Sequence, residues 1–148
     1  QLVDRLLAEN TTAVANTVAG IIAATTASLQ WPELAQLLKQ LINSPNERHR
    51  ILTFTLLSEL SNFGLPFPTK LISEILLAGC QDSGDAITEA AFTAITKCVP
   101  ELQNKNDVMD LSPIFPPFLG LLERCLENGE DELVISGFEC LLSAFEIE

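Results

Sequence analysis

Leu111-Ser-Pro-Ile-Phe-Pro-Pro-Phe-Leu-Gly-Leu-Leu-Glu-Arg-Cys-Leu-Glu-Asn-Gly-Glu-Asp-Glu-Leu-Val-Ile-Ser-Gly-Phe-Glu-Cys-Leu-Leu-Ser-Ala-Phe145 reads as one complete helical hairpin. Pro113, Pro116 and Pro117 sit where a helix can begin, because a proline in the first turn has no N–H to leave unpaired. Phe118, Leu119, Leu122 and Leu126 recur mostly at three- and four-residue steps and so share a helix face, which Asn128-Gly129 brings to a stop. Glu130, Asp131 and Glu132 then place negative charge in the first turn of a second helix, where the macrodipole favours it. Val134, Phe138, Leu141, Leu142 and Phe145 predict the apolar face of that second helix, widened at its start by Leu133 and Ile135.

Working outward, the same unit recurs. Thr53-Phe-Thr-Leu-Leu57, Ala91-Phe-Thr-Ala-Ile95 and Gly137-Phe-Glu-Cys-Leu141 align on Phe54, Phe92 and Phe138, at intervals of 38 and 46 residues, and Ala19 fits the same register 35 residues before Phe54. In the preceding helices Leu37, Ile75 and Leu122 stand 17, 17 and 16 residues ahead of those phenylalanines. Each unit is therefore an A helix followed by a B helix, with repeats over approximately 1–29, 31–63, 66–101 and 111–147 in a single solenoid spanning 1–148. The first unit is incomplete, because Gln1 to Glu9 provides only the tail of an A helix, with Leu2, Leu6 and Leu7 expected to be partly uncovered. B helices are predicted from Thr12 to Leu29, from about Pro45 to Asn62, and from the Asp82-Ser-Gly-Asp85 turn to about Val99. A helices are predicted over Trp31–Ile42 and near Thr69–Gln81, while Pro100 to Ser112 reads as the longest irregular stretch. No alternating run is flanked by hairpin turns, so the fold class is all-α. The period matches a right-handed α-solenoid of about four HEAT-type hairpins, in which each pair buries its face only against neighbouring pairs.

Charge and composition narrow the function. Apolar residues make up 47% and charged ones 19% of 148 residues, a composition that folds. Twenty acids against eight bases give a net charge of −12, which repels phosphate backbones and attracts basic partners, so direct nucleic-acid binding is not expected. Between Glu123 and Glu148 eight acids face one base, Arg124, and concentrate the negative field at the C-terminal end. Cys80, Cys98, Cys125 and Cys140 lie in apolar helical stretches without metal-ligand spacing, the pattern of a reduced, intracellular chain. With no initiator Met and no leader pattern, the sequence reads as a piece of a longer chain. Asn10 to Pro32 carries no charge, yet Asn16, Gln30 and five threonines make it a poor membrane span. Ala15, Ala19, Ala23 and Ala27 at steps of four suit a buried solenoid helix instead.

Catalysis has no visible footing. His49 is the only histidine and sits between two arginines at an expected helix start, so neither a nucleophilic triad nor a multi-histidine metal site can be assembled. Phosphate-binding glycine motifs are absent, and Glu130-Asp131-Glu132 lacks the alternating ligands and central glycine of a calcium loop. Trp31-Pro32 suits packing into the preceding hairpin better than display to a partner. Lys97 and Arg124 precede Cys98 and Cys125 directly, and adjacent helical residues do not face each other, so these cysteines read as small apolar fillers. No catalytic, metal or cofactor-binding residue is assigned, and the chain is not expected to be an enzyme.

Trp31-Pro-Glu-Leu34 opening an A helix, Ser44-Pro-Asn-Glu-Arg-His-Arg50 opening its B helix, and Leu122-Glu-Arg-Cys-Leu-Glu-Asn-Gly-Glu-Asp-Glu132 in the fourth hairpin resemble the N-terminal third of importin-β (karyopherin-β) family nuclear transport receptors, in the pattern of the importin four and five branch. The Asp and Arg usual in HEAT-repeat loops are incomplete here, with Ala15-Asn16 where Val-Arg often stands. The resemblance implies protein binding without a cofactor: RanGTP and basic cargo on the B helices, and Phe-Gly nucleoporins in grooves between A helices. It also implies shuttling between cytoplasm and nucleus. Carried onto this chain, the candidates for the concave, B-helix face are Arg50, Glu59, Glu89, Lys97, Asp131, Glu132 and Glu139. Candidates for a Phe-Gly groove are Leu34, Leu38, Phe67, Ile72, Phe115 and Leu119, each of which has the plainer alternative of holding the repeats together. A reading from a different class is a HEAT scaffold subunit of a multiprotein enzyme complex.

Overall fold

The structure, a computed structural model, describes residue 8, residues 12–27 and residues 32–147, without the side chains at 12–15, 23, 26, 27 and 32. Helices α1 (Thr12–Ala27), α2 (Pro32–Ile42), α3 (Glu47–Ser61), α4 (Thr69–Cys80), α5 (Asp85–Cys98), α6 (Lys105–Leu111), α7 (Phe115–Asn128) and α8 (Asp131–Phe145) follow in order. Single 3₁₀ turns at Val99–Glu101 and Ser112–Ile114 flank α6. No strand occurs among the described residues. Of the expected tail of the first A helix only Ala8 is described; Leu2, Leu6 and Leu7 lie outside the described residues, as does Trp31.

Two rows of helices form an α-solenoid. The B helices α1, α3, α5 and α8 lie side by side, and the A helices α2, α4 and α7 form the second row. Local chemistry sets the boundaries. Asn46 caps α3 by accepting from the Arg48 N–H at 3.0 Å, and Gly129 ends α7 at φ 73°, a left-handed turn that glycine adopts without steric cost. The Glu130 N–H returns to the Cys125 carbonyl at 2.9 Å and closes that turn.

The register phenylalanines hold neighbouring units together. Phe54 is fully buried under the following hairpin, where Gly79 of α4 lies so close that an added Cβ would strike the Phe54 ring and the Ala91 Cβ. Phe92 repeats the arrangement one unit later: it stacks on Phe118 with ring centroids 4.9 Å apart, and a Cβ at Gly137 would come within 3.0 Å of its ring. Phe138 departs from the expectation and is 50% exposed, together with Ile135, Leu142 and Phe145. Val134, Gly137, Cys140 and Ala144 form the buried face of α8 instead. The reason is positional, since no later hairpin covers α8 among the described residues. On α7, Phe118 and Leu122 are buried as expected, while Leu119 and Leu126 are exposed on the same uncovered end.

A second departure concerns 100–112, expected to be irregular. It contains α6, capped at Asn104, whose side chain accepts from the Asp107 N–H at 3.1 Å and donates back to the Asp107 carboxylate at 2.8 Å. Thr69 at the start of α4 donates to the other Asp107 oxygen at 2.8 Å, which docks the short helix on the A row. In α1, Ala19 and Ile22 are fully buried, and no helix among the described residues is long and apolar enough to cross a membrane.

Candidate functional site

Helical periodicity brings B-helix side chains from different units onto one surface. Five residues beyond Phe54 stands Glu59 and five beyond Phe92 stands Lys97, so the two occupy the same place on successive helices. With Glu89 they line a groove of about 280 Å³ between α1, α3 and α5, whose walls also include Asn16, Ser58 and Thr93. Glu89 and Lys97 are exposed and Glu59 half-buried. Asp131, Glu132 and Glu139 are exposed on α8 but do not line this groove.

Arg50 is not free on that face. Its Nε donates to Asp82 Oδ2 at 2.9 Å and its Nη1 to the Ser44 carbonyl at 2.8 Å, so its guanidinium is held at the edge where the A-to-B turns lie. Asp82 was the signal that sequence reasoning left unused: an Asp two residues before a glycine is set to form an Asx turn, and here it accepts the Gly84 N–H at 2.9 Å. Partial burial pushes the Asp82 carboxyl up, but the Gly84 N–H, the Arg50 guanidinium and the Ser83 N–H together outweigh it and hold the pKa below the ordinary carboxylate value.

The A row treats its candidates unequally. Leu34, Leu38 and Ile72 are buried in the core, where the facing helices need them, and present almost no surface. Phe67 and Ile72 line a cavity of about 300 Å³ with Leu65, Leu102 and Asp107, whereas Phe115 and Leu119 lie on α7 and do not reach it. Phe67 and Phe115 are half-buried and Leu119 is 50% exposed.

A further cavity of about 310 Å³ opens between α5, α7 and the start of α8, lined by Asp85, Thr88, Glu89, Phe92, Arg124, Cys125, Asn128 and Glu130 among others. Burial, followed by the neighbouring Glu130 carboxylate, pushes the Cys125 thiol up to about 11, so it stays protonated and is no nucleophile. Burial likewise raises Cys98 and Cys140 to about 12, and their thiols point at the Leu57 and Ile95 carbonyls at 4.0 and 3.7 Å. These geometries suit packing between B helices. Among the described residues no group of three metal-ligating side chains comes together.

The family described as "IPO5-like, TPR repeats" matches residues 7–145. Importin subunit beta-3 of Saccharomyces cerevisiae is 30% identical over 117 residues, covering 79% of this chain and 11% of that protein. The crystal structure of Kap121p superposes with a TM-score of 0.73 at 27% identity, over 99% of this chain and 14% of that one. Kap121p bound to Nup53p matches with a TM-score of 0.71 at the same identity and coverage. The chain thus spans a small part of the length of these relatives. Its units recur at 38 and 46 residues, longer than the 34 of tetratricopeptide repeats and in the range of HEAT hairpins. With matched residues 7–145 taking in every helix from α1 to α8, this chain belongs to the importin-β (karyopherin) family and forms a HEAT-repeat region of its IPO5-like group.

Proposed function

We propose that this region binds proteins as part of a nuclear import receptor, with its B-helix row contributing to contacts with RanGTP or basic cargo and its A row to contacts with Phe-Gly nucleoporins. The observation that carries the reading is the B-row groove, where Glu59 and Glu89 from successive helices line one opening on a chain of net charge −12. Such a field attracts Lys/Arg-rich segments and speeds their encounter. The reading also draws support from Kap121p, which has been crystallised bound to Nup53p, Ulp1p and Ste12p. A receptor of this kind works in both cytoplasm and nucleus and does no chemistry of its own.

The test uses the full-length receptor that carries this region. Charge reversal of Glu59 and Glu89 is expected to weaken binding of a Lys/Arg-rich peptide, mainly through the on-rate. Raising salt is expected to weaken the unmodified receptor in the same way, because exposed charges are screened over about 8 Å at physiological ionic strength. Retention on RanGTP and Phe-Gly peptides is measured in parallel. Failure to bind any of the three, with a stable enzyme partner co-purifying, overturns the reading in favour of a scaffold.

A further inference from the structure

The cavity between α5, α7 and α8 has a counterpart one unit earlier that is already filled. Arg50 stands four residues before Phe54 and Thr88 four before Phe92. Asp82 stands ten before Phe92 and Asn128 ten before Phe138. The Arg50–Asp82 pair, which bridges the second and third units, therefore has Thr88 and Asn128 as its register equivalents between the third and fourth. Both line the cavity. Threonine is too short to cross it, and the Thr88 hydroxyl turns back to the Asp85 carbonyl at 2.9 Å. The space that a guanidinium fills at one interface is thus open at the next.

From this we infer that the cavity is a receptor for one arginine side chain supplied by a basic segment of a partner protein. Its lining fits that occupant. Three carboxylates, from Asp85, Glu89 and Glu130, face one guanidinium, that of Arg124, which is itself engaged with Asp85 at 3.1 Å. No hydrogen bond or ion pair holds the Glu89 carboxylate among the described residues, while Glu130 receives the Cys125 thiol and a 3.5 Å contact from Asn128. Phe92, Leu121 and Leu133 supply an apolar wall for the methylene stem, while the acids and the Asn128 carbonyl receive the planar head, whose five donors suit such a cluster. At about 310 Å³ the cavity falls at the lower end of small-ligand clefts, which run from roughly 300 to 1,000 Å³. The inference concerns a single side chain at the turn edge and holds for any basic partner, whether or not the transport reading is right.

The experiment titrates the 148-residue chain with a blocked Gly-Arg-Gly peptide and with its citrulline counterpart, followed by amide NMR shifts. The arginine peptide is expected to give saturable shifts around Thr88, Cys125 and Leu133, and the citrulline peptide to bind at least tenfold more weakly. Thr88→Arg, which supplies the missing side chain from within, is expected to abolish binding. Should that variant fail to fold, the pair Glu89→Gln and Glu130→Gln, both exposed positions, is expected to weaken binding at least fivefold. Equal binding of the two peptides, or unchanged affinity in the folded variants, overturns the inference. So do shifts confined to Asp131, Glu132 and Glu139, which would leave a general acidic attraction standing without the pocket.

Discussion

Arg50 and Asp82, 32 residues apart, meet at 2.9 Å and tie the start of α3 to the turn that precedes α5. Because both side chains are largely buried, removing one leaves the other short of a partner. Asp82→Ala is expected to lower the unfolding free energy by roughly 1–3 kcal/mol, the range for leaving such a group unpaired. The carboxyl is held below its ordinary pKa in the folded state, so its contribution is complete above the unfolded value of about 3.9 and disappears as pH falls through the folded value. Urea titrations of both forms at pH 7, 5 and 3 should therefore show a gap that is steady at the first two and narrower at the third.

Two glycines in α-helices predict opposite outcomes for one substitution. At Gly79 a new methyl would collide with the Phe54 ring and the Ala91 Cβ, and overpacking of about 1–3 kcal/mol outweighs the helix propensity gained, at most about 1 kcal/mol. At Gly120 nothing lies within 4 Å of the added carbon, so Ala is expected to stabilise by about 0.4–1 kcal/mol. Thermal melts of Gly79→Ala and Gly120→Ala should move in opposite directions.

Phe92 and Phe138 share a register position but differ in what covers them. Phe92→Ala is expected to cost about 3–5 kcal/mol through the cavity left against Phe118. Phe138→Ala in the 148-residue chain should cost less than about 1.5 kcal/mol, the low end for a fully buried side chain of this kind. Denaturant midpoints at matched slopes decide the comparison.

Asn104→Ala removes the cap of α6 and is expected to cost about 0.5–2 kcal/mol. Since Asp107 also receives the Thr69 hydroxyl, the loss should appear first as faster amide exchange at 105–111 rather than as global unfolding. Hydrogen exchange resolved by residue is the measurement.

The hairpins and their order were legible because a register aromatic marks three of the four B helices, with Ala19 in that place on α1, and the predicted and observed boundaries of α2 to α5 differ by at most two residues. What escaped had two causes. Helix α6 is seven residues long and largely polar, so it leaves no apolar periodicity. Its signal is a local cap, Asn104 with Asp107, that reads equally well as a loop. Exposure at Phe138, Leu142 and Phe145 escaped because periodicity tells which residues share a face and not whether anything lies against it. The candidate site was legible in part for the same reason. Glu59, Glu89 and Lys97 converge by register, but Arg50 was claimed by Asp82, a long-range pairing that no local pattern encodes. Leu34, Leu38 and Ile72 were set on the A row without a means of telling an inner stripe from an outer groove.

The residue before each register phenylalanine carries a consequence for how such chains are assembled. Ala91 precedes Phe92 and lies under Phe54, and Gly137 precedes Phe138 and lies under Phe92. A two-residue word, small then aromatic, thus gives the third hairpin both a socket for the unit behind it and a plug for the unit ahead. By register the first joint uses a smaller plug, Ala19, facing the position of a larger residue, Thr53, and both are fully buried. Such joints have a direction. A whole hairpin can be duplicated or lost while plugs still meet sockets, whereas exchanging Ala19 for Phe without shrinking Thr53 would jam the joint. The permitted steps of change along this chain are therefore entire hairpins or matched pairs of residues 34 to 45 positions apart.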